Sequence, residues 1–490
     1  MALFMGIDVG TSSTKITVID EKGNMVGETS ASHPVRYLDE YRVEQNPNDW
    51  MKSTFKALKK LKERINIKRV KALAFTGQMI GLVCVNTLGD PVRPSIIWAD
   101  QRTHKLINNL SGEIRANLKQ VTCNPINTAY TLPRILWIRE SEPQNWEQTW
   151  KWMLPKDYVK YKFSGVVITD FSDASGTLLL NVRKRRWADE VVEIFNLERM
   201  KFPDLASSKE VIGKIRADIA QTFGFNEDTL IVNGCADLVG ESLVGFEIDA
   251  SRPLVRLGSA GSISRVVNNP LIDEEGECTC YVHAMEGKWI VELSSQGFGI
   301  CERWLREQII KRSENVFIEL DKMYEESDFS PSGMIFVPPI KGAPYWEPMQ
   351  VGAVVGFTFK SDALQLLQAV LEGSSFSLKD AKDRLQRLLG ERWRSYLFSG
   401  GGTRSLTWVT ILANILNGEA CLVKATPSIG AAILAGKAVG IKKFERLSSS
   451  LISGHISPSP EIEEKYRQLY RVYNLARGEA IEIGKILSTI

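Results

Sequence analysis

Asp8-Val9-Gly10-Thr11-Ser12-Ser13-Thr14-Lys15 is the stretch whose reading decides the fold. Apolar and β-branched residues flank it on both sides, so residues 3–19 read as a strand, a Gly-Thr-Ser turn and a returning strand. The hairpin carries a polar tip. A carboxylate at a strand end can hold hydrated Mg²⁺, glycine lets backbone N–H groups approach phosphate oxygens, and Thr11, Ser12 and Lys15 add further donors. Taken alone, an ordinary polar hairpin tip accounts for the same residues. The stretch has an echo, however. Residues 254–267 again read as strand, small-residue turn, strand, with Gly258-Ser259-Ala260-Gly261 matching Gly10-Thr11-Ser12-Ser13. Two donor-rich turns near the starts of the two halves predict a duplicated domain with the turns facing each other across a cleft, an arrangement suited to a triphosphate.

Outward from these hairpins the chain alternates. A helix is expected over residues 49–63, strands over 70–76 and 82–86, and a turn at Gly89-Asp90, a pattern that indicates an α/β fold. In the second half, residues 362–389 have helical spacing and include Gly373-Ser374-Ser375, a small surface that permits close packing. A strand over 396–399 then leads through Gly400-Gly401-Gly402-Thr403-Arg404 to a helix beginning near Ser405. Strand, glycine turn and helix start form a recurrent phosphate cradle, though a tight turn explains the glycines equally well and Arg404 reaches either nucleotide or solvent. The amphipathic final helix, residues 461–487, is expected on the surface of the second domain.

Asp237 closes Val232-Asn233-Gly234-Cys235-Ala236-Asp237, just after an apolar run, at the point where a strand would pass into a helix starting near Leu238. An N-cap is the ordinary use of a carboxylate there. The functional use is acceptance of a proton from an attacking hydroxyl beside a transferred phosphoryl group. The two roles are compatible.

The bulk properties agree with an enzyme of small molecules. At 490 residues the chain exceeds one hydrophobic core, so two domains are expected, residues 1–247 and 248–490. A net charge of +3 is too small to imply a nucleic-acid or anionic-membrane surface. Seven scattered cysteines without a CxxC pair favour reduced thiols in a cytoplasmic protein over disulfides or zinc. No signal-peptide pattern opens the chain, and no run of about 18 apolar residues suggests a membrane span.

Together these segments resemble the FGGY carbohydrate kinases, and the first half is most similar to the xylulokinase branch. The resemblance also includes Glu44-Gln45-Asn46-Pro47 with Trp50, Gly77-Gln78-Met79, Trp98-Ala99-Asp100-Gln101-Arg102, Leu154-Pro155-Lys156-Asp157-Tyr158, Thr169-Asp170, Asp173-Ala174-Ser175-Gly176-Thr177 and Gly430-Ala431-Ala432. It implies an α/β fold of two RNase H-like domains, as in actin, Hsp70 and the sugar kinases, with an interdomain active-site cleft closing on ATP. By the same resemblance Asp237 is the catalytic base and Asp8 the metal-associated aspartate, both near Mg²⁺. Gly10, Thr11, Ser12, Lys15, Gly258 and Ser259 fall near phosphates. Gly299, Gly401 and Ser405 match nucleotide-holding positions, and Gln78, Met79, Ile80, Asp100 and Arg102 would line the sugar site.

Two departures bear on the substrate. The xylulokinase pattern has histidine after Gln-Met, where this chain has Ile80, so a polar partner of the sugar is replaced by an apolar one. Gly342-Ala343-Pro344-Tyr345-Trp346 is more similar to glycerol or gluconate kinases. The expected activity is therefore ATP-dependent phosphorylation of a pentulose such as D-xylulose, with gluconate, glycerol or another polyol as the alternative acceptor. A non-catalytic ATP-binding clamp or sensor is the alternative of another class. The terminal helices are compatible with a homodimer.

Overall fold

The computed structural model describes residues 2–275, 278–295, 297–312, 316–326, 329–341 and 349–487; the Gly342-to-Trp346 stretch lies outside them. The chain forms two compact units. The first comprises Met1–Ile248, Val266–Val291 and Ala425–Ser450, and the second Asp249–Arg265, Glu292–Lys424 and Leu451–Ile490.

The first unit is built on a six-stranded sheet in the order Val211–Lys214, Leu230–Ala236, Val70–Gly77, Leu3–Val9, Ser13–Asp20, Met25–Ser32. Its three central strands are parallel and its flanking strands antiparallel. Leu3, Met5, Ile7 and Val9 are buried with Ile16, Val18, Leu73 and Phe75, since a strand covered on both faces needs a nearly continuous apolar run. The helix Pro47–Lys62 packs Trp50, Ala57, Leu58 and Leu61 into that core. It starts earlier than its hydrophobic period suggests because Asn46 caps it through Asn48 N–H and Pro47 suits the first helical position. The other face takes the helix Pro427–Ala438, which approaches so closely that a Cβ at Gly6 would stand 1.9 Å from the Ser428 carbonyl oxygen.

A seven-stranded sheet repeats the plan. In the order Ile452–Ile456, Glu419–Val423, Ser395–Ser399, Leu254–Leu257, Gly261–Val267, Trp289–Ser295, Thr279–Val282, it again has three parallel central strands between antiparallel ones. Leu254–Leu257 takes the topological place of Leu3–Val9, so the echo in the sequence extends to the parallel strands and the antiparallel strands beside them. Ala363–Leu389 is a helix with a full capping box from Asp362 and Gln365. Its Gly373 meets the Phe336 carbonyl, where a Cβ would be 2.0 Å away. Pro460–Leu487 forms the final helix of the second unit.

Candidate active site

Sheet register brings the two predicted acids together. Asp8 pairs with Lys15 across the hairpin and with Thr76 on the parallel neighbour; Thr76 pairs in turn with Cys235, and Gly77 with Ala236. Asp237 therefore emerges one residue past the sheet at the same edge, where the carboxyl ends of the parallel strands lie. It opens the helix Asp237–Asp249, and its Oδ1 accepts the Leu238 N–H at 2.7 Å. This bond goes to the adjacent residue and not to the second or third N–H of the helix, so it is not an N-cap contact, and it engages one oxygen of the carboxylate.

The electrostatics at this edge are those of crowded carboxylates. Burial, then the charge of Asp237, raise the Asp8 pKa to about 7; Lys15 opposes the rise and Glu241 adds to it. Asp8 Oδ1 is buried with no hydrogen-bond partner among the described residues. Glu241, one helical turn after Asp237, is buried as well. A hydrated divalent cation fits such a donor set, since Mg²⁺ takes one or two carboxylates and keeps waters or phosphate oxygens on its other positions. Accordingly, no group of three or more metal-ligating side chains is preassembled among the described residues.

The adjoining turn is braced from behind. Gly10 N–H closes it onto the Ser13 carbonyl at 3.1 Å, and His33 N–H donates to the Ser12 carbonyl at 3.1 Å. The Gly10 carbonyl lies 3.1 Å from His33 Nε2 and accepts from Gln78 Nε2 at 3.5 Å; the Thr11 carbonyl accepts from Gln45 Nε2 at 2.7 Å. Engaging the carbonyls with protein donors keeps acceptor oxygens away from an approaching anion. Trp98, half exposed, donates its indole N–H to Thr11 Oγ1 at 2.9 Å.

Gln78 also donates to Gln45 Oε1 at 2.7 Å. Beyond it Met79 is buried, and Ile80 is held at φ +74° with its carbonyl accepting from Thr131 Oγ1 at 2.8 Å and Arg134 Nη1 at 2.6 Å. Both side chains face Gly176, where a Cβ would lie 3.0 Å from the Met79 methyl. Asp100 and Arg102 occupy a buried ion network instead of an open wall. Asp100 accepts from Val43 N–H at 2.6 Å and from Arg102 at 2.7–3.0 Å, and Arg102 also reaches Glu44 at 2.7 Å. Glu44 in turn pairs with Arg93 at 2.6 Å and is followed in the chain by Gln45, which holds the Thr11 carbonyl.

In the second unit the predicted nucleotide positions also converge. The Gly258 N–H donates to the Ala260 carbonyl at 3.2 Å, and Ile300 N–H to the Ser259 carbonyl at 2.9 Å. A Cβ at Gly299 would stand 2.3 Å from the Gly258 carbonyl oxygen, which fixes glycine there. Arg303 donates to Ser259 Oγ at 3.2 Å. The Gly400 turn, at φ +99°, folds over Leu257, and Ser405 caps the helix Leu406–Leu416 through Trp408 N–H at 3.2 Å.

The chain matches the FGGY family of carbohydrate kinases over both of its domains, the N-terminal domain at residues 3–245 and the C-terminal domain at 259–439. It belongs to that family. This carbohydrate kinase, a phosphotransferase, is 29% identical to a xylulose kinase of Lactococcus lactis over 99% of its own length and 98% of that protein's. It is 26% identical to a gluconokinase of Bacillus licheniformis, covering 98% and 97% of the two chains. Its fold matches a ligand-bound xylulose kinase structure from Lactobacillus acidophilus with a TM-score of 0.86 at 22% identity, over 98% of each chain. No helix among the described residues of the kinase is long and apolar enough to cross a membrane, and its seven cysteines are buried and not joined in disulfides.

Four residues of this site were given no role from the sequence, although Gln45 and Trp98 lie in segments that carry the family resemblance. Gln45, His33 and Trp98 brace the turn, and Glu241 adds its charge to the field that raises Asp8. The i, i+4 spacing of Asp237 and Glu241 on one helix was an available signal. His33 carried none, because strand pairing alone brings it to Ser12.

Proposed function

We propose that this kinase transfers the γ-phosphoryl group of ATP to a pentulose hydroxyl, D-xylulose giving the 5-phosphate. The observation that carries the reading is the meeting of Asp8 and Asp237 at one sheet edge, beside a braced Gly10-Thr11-Ser12 turn. The xylulose kinases among its near-full-length relatives support the acceptor class.

Asp237 orients the acceptor hydroxyl and takes its proton while the hydroxyl oxygen bonds to the γ-phosphorus and the bond to ADP breaks. Backbone N–H groups of the Gly10 turn, with Lys15, Thr11 and Ser12, stabilise charge on the phosphoryl oxygens. Asp8 and Asp237 would hold Mg²⁺, which supplies charge neutralisation at the phosphates when bound. Gly258, Ser259, Gly299, Gly401 and Ser405 hold the nucleotide, so that residues 1–247 act on the sugar and 248–490 on ATP. Gln78, Met79 and Ile80 line the sugar, with the Asp100/Arg102 pair behind them. The gluconokinase relative and the apolar Ile80 favour a second reading, in which an aldonic acid or another polyol is the acceptor.

Asp237→Ala is expected to lower kcat at least about 1,000-fold while calorimetric MgATP affinity stays within about twofold. Near-normal turnover removes Asp237 as the base. ADP release measured with D-xylulose, gluconate and glycerol separates the two acceptors, and a higher kcat/KM for gluconate selects the second.

A further inference from the structure

Behind Asp237 lies a cluster that the reaction scheme above leaves unused. Lys156, Lys160, Asp157, Asp170 and Asp173 are all buried. Lys156 Nζ reaches Asp157 at 2.6 Å, Asp170 at 2.8 Å and Asp173 at 3.2 Å, and Lys160 Nζ reaches Asp157 at 2.7 Å. Burying five ionisable groups is costly, and well-packed apolar residues would serve stability at least as well. What charges provide and apolar groups do not is direction.

That direction is toward the strand leading to Asp237. Val232 pairs with Ala74 but Cys235 with Thr76, so Leu230–Ala236 carries one extra residue opposite its neighbour, a bulge at Asn233-Gly234. An extra residue reverses the face to which all following side chains point, and bulges beside active sites re-aim a side chain in this way. Gly234 takes φ +89° there, with its absent Cβ falling 1.8 Å from the Phe75 carbonyl oxygen. Lys160 donates to both the backbone carbonyl and the side-chain Oδ1 of Asn233. The Asn233 amide donates to the carbonyls of Thr169, at 3.2 Å, and Ser207, at 3.3 Å.

Past the bulge the decisive contact is Ser172. Its hydroxyl donates to Asp170 Oδ1, while its Oγ accepts the backbone N–H of Ala236 at 2.9 Å. Asp170 is fixed in turn by Lys156, by Ser208 Oγ at 3.2 Å and by capping Ser172 N–H at 2.8 Å. A continuous path thus runs from Lys156 through Asp170 and Ser172 to the Cys235–Ala236 peptide, one residue before Asp237.

We propose that Ser172, clamped by the buried Lys156–Asp170 pair, is a positioning residue that aims Asp237 at the acceptor hydroxyl. The inference rests on the reading of Asp237 as the base. Its test uses the full-length enzyme with D-xylulose and with gluconate. Ser172→Ala is expected to lower kcat about 10- to 100-fold, with both KM values within about twofold, as a displaced catalytic group does. In single-turnover assays on an Asp237→Ala background the same change is expected to cost less than about twofold, because a residue acting through Asp237 has nothing left to aim. An unchanged kcat, or a full repeat of the loss in the Asp237→Ala background, overturns the proposal. Near-normal turnover of Asp237→Ala alone overturns the base assignment instead, so the two failures are distinct. Should Ser172→Ala fail to fold by circular dichroism, Asp170→Asn is judged by the same criteria.

Discussion

Ile80 shows how much one residue can hold. A β-branched side chain at φ +74° sits where its Cβ crowds the backbone, at a cost of about 1–3 kcal/mol. The conformation persists because Thr131 and Arg134 grip its carbonyl from the buried side. Histidine tolerates this region better than isoleucine and adds a hydrogen-bonding group. Ile80→His is therefore expected to keep or raise Tm and to raise kcat/KM for D-xylulose about fivefold, the worth of one hydrogen bond. A fall in both sinks the placing of Ile80 against the sugar. The departure at this position was legible in the sequence, whereas its backbone strain was not, because the grip comes from residues some fifty positions away. Asp100 and Arg102 teach a related lesson. The family resemblance implied a ligand contact for them, and only the folded chain brings Val43 and Glu44 to engage them.

At the scale of elements, the long helix Ala363–Leu389 carries a buried carboxylate with its own pH signature. Glu372 accepts from Ser332 N–H at 3.0 Å, Gln368 Nε2 at 2.8 Å and Tyr466 OH at 2.9 Å, tying this helix to the final one. Burial nevertheless pushes its pKa up to about 7, against an ordinary value of 4.5. The folded state therefore holds this proton more tightly than the unfolded chain. The resulting stability is complete below about pH 4.5 and is lost as pH rises through about 7, a fall of about 3 kcal/mol. Urea unfolding across that range should show the decline, and Glu372→Gln should flatten it; an unaltered slope assigns the decline elsewhere. The helix itself was plain from its apolar period. The bulge at Asn233-Gly234 was not, since a register shift is a property of two strands and the letters of one do not reveal it.

For the molecule as a whole, the first unit is discontinuous. Its sheet is completed by a helix more than 170 residues downstream of Ile248, where Thr17 Oγ1 and Ser428 Oγ lie 2.8 Å apart and a Cβ at Gly430 would fall 2.0 Å from the Gly240 carbonyl oxygen. A fragment of residues 1–248 leaves that sheet face uncovered. It is expected to bind a hydrophobic dye and to melt without a cooperative transition, and fusion to residues 425–450 is expected to restore one. Cooperative melting of the short fragment would show the helix to be dispensable. Local chemistry in the sequence determined the paired hairpins, the alternating elements and the acids with their small-residue turns, because turn residues and hydrophobic period act over a few neighbours. Tertiary structure alone decided that Asp8 and Asp237 meet and that Ser172 stands behind the latter. It also decided that residues 425–450 close the first core, because pairing register and helix docking depend on groups the chain brings together only when it folds.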